Sequence, residues 1–314
     1  MQNVMRKSWT EGPVATFLSA SLKGISQVLL IENAFSGLLI LLAITTSSLL
    51  LGIMTILSAF IGNIIGKIGG ADENSINQGL FGYNSVLTGI ALTLFLTGPY
   101  HWIIALIGAA IAAIFTAAMM HVMKSSGIPV LTIPFIVLSW LMLLASYRLK
   151  AFQLTPDLVP QDLSNWEVDM TGKADWVEGT FNGIGQIFFL HNTLSGVLLF
   201  VAVFWAGWKF GLYAIIGNFV ALITSYLLGG EPHLIFMGLY GYNAILTIFA
   251  VSVVFKGKSH RFGPYLGIIG ACLTVLLTAS IATLLLPFGL PALTMPFVLS
   301  TWLLLAARKV LPRL

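Results

Sequence analysis

The sequence predicts an all-α polytopic membrane protein built from two inverted repeats, with a pore at the interface between the repeats. The first observation is composition: 58% of the 314 residues are hydrophobic and 8% are charged, whereas about a quarter of a soluble domain is charged. The second is a series of ten apolar segments separated by polar turns. The third is that three sequence blocks occur twice in the same order.

Five apolar segments precede residue 148, and five more follow residue 190. Several lie at or just below the length of about 17 to 25 residues that crosses a bilayer, so each is predicted to be one helical span. The predicted spans are 34–50, 51–66, 79–97, 102–122, 129–147, 193–208, 210–228, 236–255, 264–286 and 291–307.

One long polar stretch, Arg148 to Glu178, separates the two sets of spans. It contains six acidic residues together with Pro156 and Pro160, and is too polar to lie in lipid. The sequence therefore divides into a first repeat over 1–150, an acidic connector over 151–180 and a second repeat over 181–314.

The duplicated blocks define these two repeats. The first two pairs are offset by 159 residues and the third by 162, which fits a small length difference between loops. The pairs are Lys23–Ile44 with Asn182–Val203, Gly79–Thr88 with Gly238–Thr247, and Gly127–Phe135 with Gly289–Phe297.

The segment before the first span of each half predicts how the repeats are related. Residues 14–31 have the counterpart 181–190 in the second half, which offers about ten residues where about twenty are needed to span. Both are therefore predicted to be re-entrant half-helices that enter the membrane and turn back. Each half then crosses five times, an odd number, so the repeats are inverted.

The distribution of basic residues predicts that both termini are cytoplasmic. With ten crossings, twelve of the fifteen Lys and Arg fall on the cytoplasmic side, and the other three, Arg148, Lys150 and Lys173, lie in the connector. The cytoplasmic set includes Arg6, Lys7, Lys256, Lys258, Arg261, Arg308, Lys309 and Arg313. If both half-helices crossed fully, Lys67 and Lys124 would move outside while the connector moved inside, and the bias of basic residues would be just as good. The odd number of crossings in each half is therefore predicted from segment length alone.

The third block contains two prolines five residues apart, with a threonine between them and a tryptophan (Trp140 or Trp302) later in the same segment. Each proline lacks an N–H and disfavours helical angles at the preceding residue. In lipid such a break is tolerated only where it faces protein or a watery path. We therefore interpret Thr132 and Thr294 as pore-lining, beside carbonyls that the prolines leave without helical partners.

Other polar residues of the apolar segments also occur as repeat-related pairs: Gln27 with Gln186, Asn84 with Asn243, and Glu32 with His191. An Asn in a membrane helix more often joins neighbouring helices than binds a ligand, so a structural role is favoured for the Asn pair. Glu32 and His191 form either a polar cap at the half-helix turn or a contact near the symmetry axis, and are possible pore-mouth residues.

Enzymatic and nucleic-acid functions find no support in the sequence. The five histidines are dispersed without metal-ligand spacing, no catalytic or phosphate-binding motif occurs, and the basic residues form no patch. Neither a cofactor nor a metal is predicted.

Taken together, the repeated motifs resemble those of the urea transporter family over nearly the whole chain. The resemblance rests on the twin G-[IL]-P-x-L-T-x-P-F motifs, the paired G-Y-N-x-x-L-T blocks and the half-helix Q-x-x-[LF]. Ile128 replaces the usual leucine of the first motif, which conserves volume. The resemblance implies ten spans, two re-entrant half-helices, a path between the halves, and a homotrimer with one pore per subunit.

The resemblance also implies a set of solute-binding residues. A half-helix glutamine lies at each mouth, with an aromatic residue three positions later; in the first half a leucine replaces this aromatic residue, which puts the symmetry of the two slots in doubt. The residues are Gln27 and Leu30 at one mouth, Gln186 and Phe189 at the other, Tyr83 with Leu87 and Tyr242 with Leu246 along the path, and Thr132 and Thr294 at the narrow centre.

The predicted function is passive, channel-like transport of urea across the inner membrane. Urea is planar and neutral, with N–H donors along its edges, so oxygens must replace the water that it loses in the membrane. Flat apolar side chains would enclose its faces, and slot shape would set selectivity. The alternative is a channel or carrier for another small polar solute, such as a short amide or ammonia. A membrane enzyme or receptor that uses Glu32 and His191 is a third possibility.

Overall fold

The computed structural model describes residues 12–165, 167–256 and 262–311, and these residues are mostly helical. Five of the basic residues used to predict orientation lie outside the described ranges, namely Arg6, Lys7, Lys258, Arg261 and Arg313.

The first half contains seven α-helices among the described residues. They are α1 (Pro13–Ser26), α2 (Ala34–Ser47), α3 (Leu49–Ile68), α4 (Glu73–Asn77), α5 (Gly82–Phe95), α6 (His101–Met123) and α7 (Ile133–Ala145).

The second half repeats this order with seven more described helices. They are α8 (Trp176–Gly185), α9 (Thr193–Ala206), α10 (Trp208–Leu227), α11 (Pro232–Phe236), α12 (Gly241–Phe249), α13 (Gly263–Leu285) and α14 (Met295–Val310). Helix α12 continues as a π-helix over Ala250–Val254.

Helix length departs from the prediction of ten full spans. Within the described residues, four helical stretches are long and apolar enough to cross a bilayer, or six if each bent pair of helices counts as one span. The four are Leu49–Ile68, His101–Ser126, Trp208–Leu227 and Gly263–Phe288. Helix α5 has 14 residues, which at about 1.5 Å per residue reach about 21 Å of the roughly 30 Å hydrocarbon core. In the G-Y-N and double-proline segments the helix begins several residues after the predicted start of the span, for example at Gly82 and Ile133. These helices are therefore shorter than the predicted spans.

Each half opens with a sharply bent pair of helices. Helix α1 continues as a 3₁₀ turn and meets α2 at 74°, and α8 does the same with α9, also at 74°. The turns end at Leu30 and Phe189, each with φ of 59° in the left-handed region. Asn33 and Asn192 then cap α2 and α9, because their side chains accept hydrogen bonds from backbone N–H groups three residues later.

Helix α8 is longer than the predicted half-helix 181–190. It begins at Trp176, because the Asp175 side chain accepts hydrogen bonds from the N–H groups of Val177 and Glu178 and so caps the helix at this point. The irregular part of the connector therefore ends at residue 175 instead of 180.

Reciprocal hydrogen bonds join the two halves. The Ser36 hydroxyl donates to the Ala202 carbonyl at 2.8 Å, and the equivalent Ser195 hydroxyl donates to the equivalent Ala43 carbonyl at 2.8 Å. The start of α2 thus lies beside the end of α9, and the start of α9 beside the end of α2. The two equivalent helices therefore run antiparallel.

Glycines allow a close approach between helices within each half. A Cβ at Gly37 would overlap the carbonyl oxygen of Leu22, and one at the equivalent Gly196 would overlap that of Phe181. The S-G step of the first repeated block therefore lets each half-helix pack backbone to backbone against the helix that follows it.

The connector packs against both halves. Leu96–Thr97 and Gln153–Leu154 form a short antiparallel pair, which is the exception to the predicted all-α fold. The Thr155 N–H then donates to the Phe95 carbonyl at 3.0 Å, and the Gln161 N–H donates to the Leu286 carbonyl at 3.2 Å. The connector is therefore held over one end of the helix assembly.

Candidate functional site

The two motif threonines are in contact. The Oγ1 atoms of Thr132 and Thr294 lie 2.7 Å apart, and the residues are 3% and 4% exposed. Each threonine immediately precedes a helix that begins with Ile-Pro or Met-Pro. Neither hydroxyl bonds to the backbone one turn earlier, as a lone membrane-helix threonine commonly does. The two helix breaks therefore meet at one point between the halves.

A left-handed residue precedes each threonine. Leu131 has φ of 52° and Leu293 has φ of 51°, a conformation that costs a residue with a side chain of order 1 kcal/mol or more. Hydrogen bonds hold both carbonyls: the Tyr83 hydroxyl donates to that of Leu131, and the Tyr242 hydroxyl to that of Leu293. The amides of the adjacent asparagines donate to the same two carbonyls at 3.3 Å.

These contacts give Asn84 and Asn243 a structural role. Both side chains are fully buried, and each makes one further hydrogen bond to a group inside the helix assembly. Asn84 also donates to the Thr116 hydroxyl, and the oxygen of Asn243 accepts from the N–H of Phe297.

The carbonyls beside the proline breaks are less available than the sequence suggested. The Trp140 indole N–H donates to the Pro291 carbonyl at 2.9 Å, and the equivalent Trp302 donates to the Pro129 carbonyl at 2.8 Å. Together with the Tyr and Asn donors, these indoles engage the carbonyls at 129, 131, 291 and 293. The Thr132 and Thr294 hydroxyls are therefore the side-chain oxygens that lie at the centre.

The glutamines near the two bends share one equivalent contact. Nε2 of Gln27 donates to the Gln78 carbonyl at 3.1 Å, and Nε2 of Gln186 donates to the equivalent Met237 carbonyl at 3.0 Å. The side-chain oxygen of Gln186 accepts no hydrogen bond from the described residues. Each glutamine is thus anchored through its nitrogen, which leaves an acceptor free.

A cavity of about 600 Å³ links the first glutamine to the threonine contact. It extends from Glu32 and Gln27 along the first proline motif to Thr132. Its other lining residues include Leu30, Tyr83, Met120, Lys124, Val254 and Phe255. This cavity lies at the first predicted mouth, and residues of both halves line it.

An aromatic contact lies at the second predicted mouth. The rings of Phe95 and Phe189 meet edge to face, with centroids 5.4 Å apart and planes at 89°. The connector covers this end, because Phe152, Leu154 and Leu158 pack in one apolar cluster with Leu285 and Leu290.

The two mouths differ, as the Leu30 substitution indicates. Phe95 corresponds by the 159-residue offset to Val254, which lines the first mouth together with Phe255. The first mouth therefore joins Leu30 to an aliphatic residue and a phenylalanine, whereas the second joins two phenylalanines.

Glu32 and His191 do not meet near the axis. Glu32 pairs with Lys23, with 3.0 Å between Oε1 and Nζ, and Nδ1 of His191 lies 2.8 Å from Nε2 of Gln186. His191 also lines a second cavity, of about 390 Å³, with Lys173, Glu178 and His233. Each residue therefore bonds within its own half.

Leu87 and Leu246 lie in the apolar core, 1% and 0% exposed, and they are not lining residues of the first cavity.

The sequence did not indicate the contacts of Phe95 and Phe255, or the left-handed conformation of Leu131 and Leu293. Phe95 ends helix α5, thirteen residues after the start of the G-Y-N helix, and no motif distinguishes it. The paired tryptophans were a visible signal, because they recur at one place in both halves.

No group of three or more His, Cys, Asp or Glu residues suited to holding a metal ion occurs in the part of the chain that the structure describes.

Comparison with known proteins adds a family assignment. The sequence model of the family described as urea transporter matches residues 18–309. The chain is 26% identical over 294 residues to urea transporter 1 of Ovis aries, covering 92% of this chain and 76% of that protein. It is also 26% identical over 297 residues to urea transporter 1 of Mus musculus, covering 93% and 77% of the two chains.

Proposed function

The chain belongs to the urea transporter family, and from this premise we propose that urea crosses the membrane between the two halves, past Gln27, the Thr132–Thr294 pair and Gln186. The transport itself is passive, and the protein is a channel and not an enzyme, as in the family. The observation that carries the proposed route is the cavity that runs from Gln27 to Thr132, where the Thr294 hydroxyl completes the contact.

The hydrogen-bonding groups along the route explain how it would select urea. Removing water from an amide costs several kcal/mol in an apolar medium unless hydrogen bonds replace it. The glutamine oxygens accept urea N–H groups at the mouths, and the threonine hydroxyls accept them at the centre. Because hydroxyls both donate and accept, they also bond the urea carbonyl. An ion that loses a full hydration shell finds no equivalent replacement.

The side walls supply shape. Leu30 with Phe255 at the first mouth, and Phe189 with Phe95 at the second, present apolar surfaces to the faces of a planar solute. The threonine contact at 2.7 Å leaves no open pore at the centre, so we infer that the hydroxyls exchange their mutual hydrogen bond for bonds to urea as it passes. Tyr83 and Tyr242 support this centre by holding the carbonyls of Leu131 and Leu293.

Leu87 and Leu246 serve as packing for the central walls in this proposal. Both follow the G-Y-N tyrosines by one helical turn and lie in the same apolar core. They would keep water from bypassing the threonines.

The same proposal places the halves in the membrane as inverted repeats, each with a re-entrant half-helix. The antiparallel pairing of α2 and α9 supports it, because an axis perpendicular to membrane-crossing helices lies in the membrane plane. The 74° bends after Leu29 and Phe188 support the re-entrant turns.

We also propose a homotrimer with one path per subunit, in the inner membrane, with both termini cytoplasmic. The support is family resemblance together with the basic residues Lys256, between α12 and α13, and Arg308 and Lys309 near the end of the chain. The molar mass of the protein in detergent, measured by light scattering, tests the trimer. Accessibility of a cysteine introduced at Lys173 or at Lys309 tests the orientation in right-side-out vesicles.

Urea flux into proteoliposomes tests the proposed function. Flux should follow the urea gradient and should not require an imposed proton or sodium gradient, since the threonine hydroxyls bond each other and no Asp, Glu, Lys, Arg or His bonds to them among the described residues. Flux that requires either ion gradient would contradict passive transport. Competition by acetamide or ammonia that exceeds the effect of urea would indicate another small polar solute.

A further inference from the structure

A basic cleft of about 340 Å³ lies on the second half, and none of its lining residues lines the first cavity. It forms where α10 and α13 begin and where α14 and the π-helical end of α12 finish. Three cationic side chains line it, those of Lys209, Lys256 and Arg308, and no acidic residue does. A small volume that gathers three positive charges favours an anion.

The cations of the cleft lack carboxylate partners among the described residues, whose one ion pair is Lys23 with Glu32. The Arg308 guanidinium is fixed to the π-helical end, donating to the Phe255 carbonyl at 2.7 Å and to the Val251 carbonyl at 3.0 Å. These two bonds leave other N–H groups of the guanidinium free. The sequence between Lys256 and Phe262 is Gly-Lys-Ser-His-Arg, which adds no acidic residue.

Two helix N-termini add to the positive potential. Helices α10 and α13 begin at Trp208 and Gly263, which both line the cleft. Neither helix has a side-chain cap bond, so the N–H groups of their first turns are left for another acceptor, except at Pro264, which has no N–H. A helix N-terminus carries about half a positive charge and readily binds phosphate.

The first half lacks the same charges. By the repeat offsets, Lys209 corresponds to Leu50 and Arg308 to Ser146, and the turn over 96–100 that corresponds to Lys256 contains no Lys or Arg. The fold therefore does not need these cations. Insertion preferences explain why positive residues lie on one side of a membrane, but they do not explain convergence into one cleft.

The surface next to the cleft suits a lipid. Trp208 is 65% exposed at the rim, and Leu212, Ile215 and Phe219 are exposed at helical spacing along α10. Lys209 lies over the Trp208 ring, with its Nζ 5.8 Å from the centroid. An aromatic and cationic rim above an apolar stripe matches a molecule with an anionic head and acyl chains.

We propose that this cleft binds the phosphate of an anionic phospholipid, with the acyl chains along Leu212, Ile215 and Phe219. Lys209, Lys256 and Arg308 contact the phosphate together with the first N–H groups of α10 and α13. A free phosphate ion shares the head-group chemistry but cannot use the apolar stripe.

Quenching of Trp208 fluorescence by brominated lipids tests the site in the full chain in mixed micelles. The Trp208 signal is the difference between the parent protein and the Trp208→Phe variant. Brominated phosphatidylglycerol should quench it at a mole fraction about fivefold or more below that of brominated phosphatidylcholine, on the basis of the contribution of a single basic residue near an anionic surface. The double variant Lys209→Gln/Lys256→Gln should abolish this preference.

The matched control is Lys67→Gln/Lys150→Gln, which removes two exposed lysines that do not line the cleft. It should quench as the parent does. Equal quenching by the two lipids, or a preference that persists in the cleft variant, would overturn the proposal. Displacement of phosphatidylglycerol by millimolar inorganic phosphate would retain the anion site and overturn the lipid as its ligand. Urea flux in both lysine variants should equal that of the parent, which verifies that they fold.

Discussion

Nδ1 of His191 lies 2.8 Å from Nε2 of Gln186. The same Nε2 donates to the Met237 carbonyl at 3.0 Å, and because a carbonyl only accepts, the amide nitrogen must face it. The second amide hydrogen then points to Nδ1, so His191 accepts and carries its proton on Nε2 in the neutral form. The first half differs, because Glu32, the counterpart of His191, pairs with Lys23 instead of Gln27.

Acid is expected to weaken urea binding at the second mouth. Protonated His191 has N–H groups on both ring nitrogens, so it repels the Gln186 amide, which must turn its oxygen toward the ring and away from the route. Burial lowers the pKa of His191 below the ordinary histidine value of about 6.5, so the KM of urea flux should rise several-fold from about pH 8 to about pH 5, with the change below about pH 6.5. Stopped-flow flux measurements across this range check the prediction.

Two asparagine variants separate His191 from its neighbours in the same cavity, which also include Lys173 and Glu178. His191→Asn keeps an acceptor near the position of Nδ1 and should give a flat pH profile with the KM of the parent at about pH 8. His233→Asn should retain the acid response. If the acid response persists in His191→Asn and disappears in His233→Asn, the titrating residue is His233 and the prediction is wrong.

Removing the central hydroxyls should slow transport. Thr132→Val and Thr294→Val keep the side-chain shape but remove an oxygen that replaces water around urea, a loss worth about 1 kcal/mol per hydrogen bond. Each should lower flux by roughly fivefold, and the double variant by more. The control Thr55→Val removes a buried hydroxyl that bonds to the Leu51 carbonyl within its own helix and should leave flux unchanged. Normal flux in the double variant would eliminate the role of these hydroxyls.

Phe189→Leu should make the second mouth less selective. It removes the edge-to-face contact with Phe95 at 5.4 Å, worth about 0.5–1.5 kcal/mol, and it reproduces the leucine of the first mouth. The flux of N-methylurea relative to urea should therefore increase. Phe210→Leu breaks a similar contact with Phe249, at 5.2 Å and 90°, and should not change this ratio. The same increase in both variants would point to general loosening of the fold.

Gly37→Ala should destabilise the first half. The added Cβ would overlap the Leu22 carbonyl oxygen, a backbone atom that cannot rotate away, and overpacking of this kind costs about 1–3 kcal/mol. The thermal unfolding midpoint in detergent should fall. Gly263→Ala, whose Cβ meets nothing within 4 Å, should unfold near the parent temperature. Equal midpoints for both variants would mean that α1 and α2 do not approach so closely.

The sequence alone predicted the helical membrane fold, the duplication and the helix breaks, because each depends on residues that are close together in the chain. Apolar runs specify helices in lipid, a repeated block specifies equivalent structure, and the prolines at 129, 134, 291 and 296 interrupt helices wherever they lie. Family membership also follows from these blocks, and the comparisons confirmed it.

Only the tertiary structure decided which groups meet. The Thr132 and Thr294 hydroxyls bond each other, the two tryptophans engage carbonyls of the opposite half, and Phe95 closes on Phe189. Each of these contacts joins residues far apart in the chain, and the partner of a buried donor depends on how the helices pack and not on its neighbours in sequence. The sequence thus determined where the helices break, and packing determined which oxygens remain free for a solute.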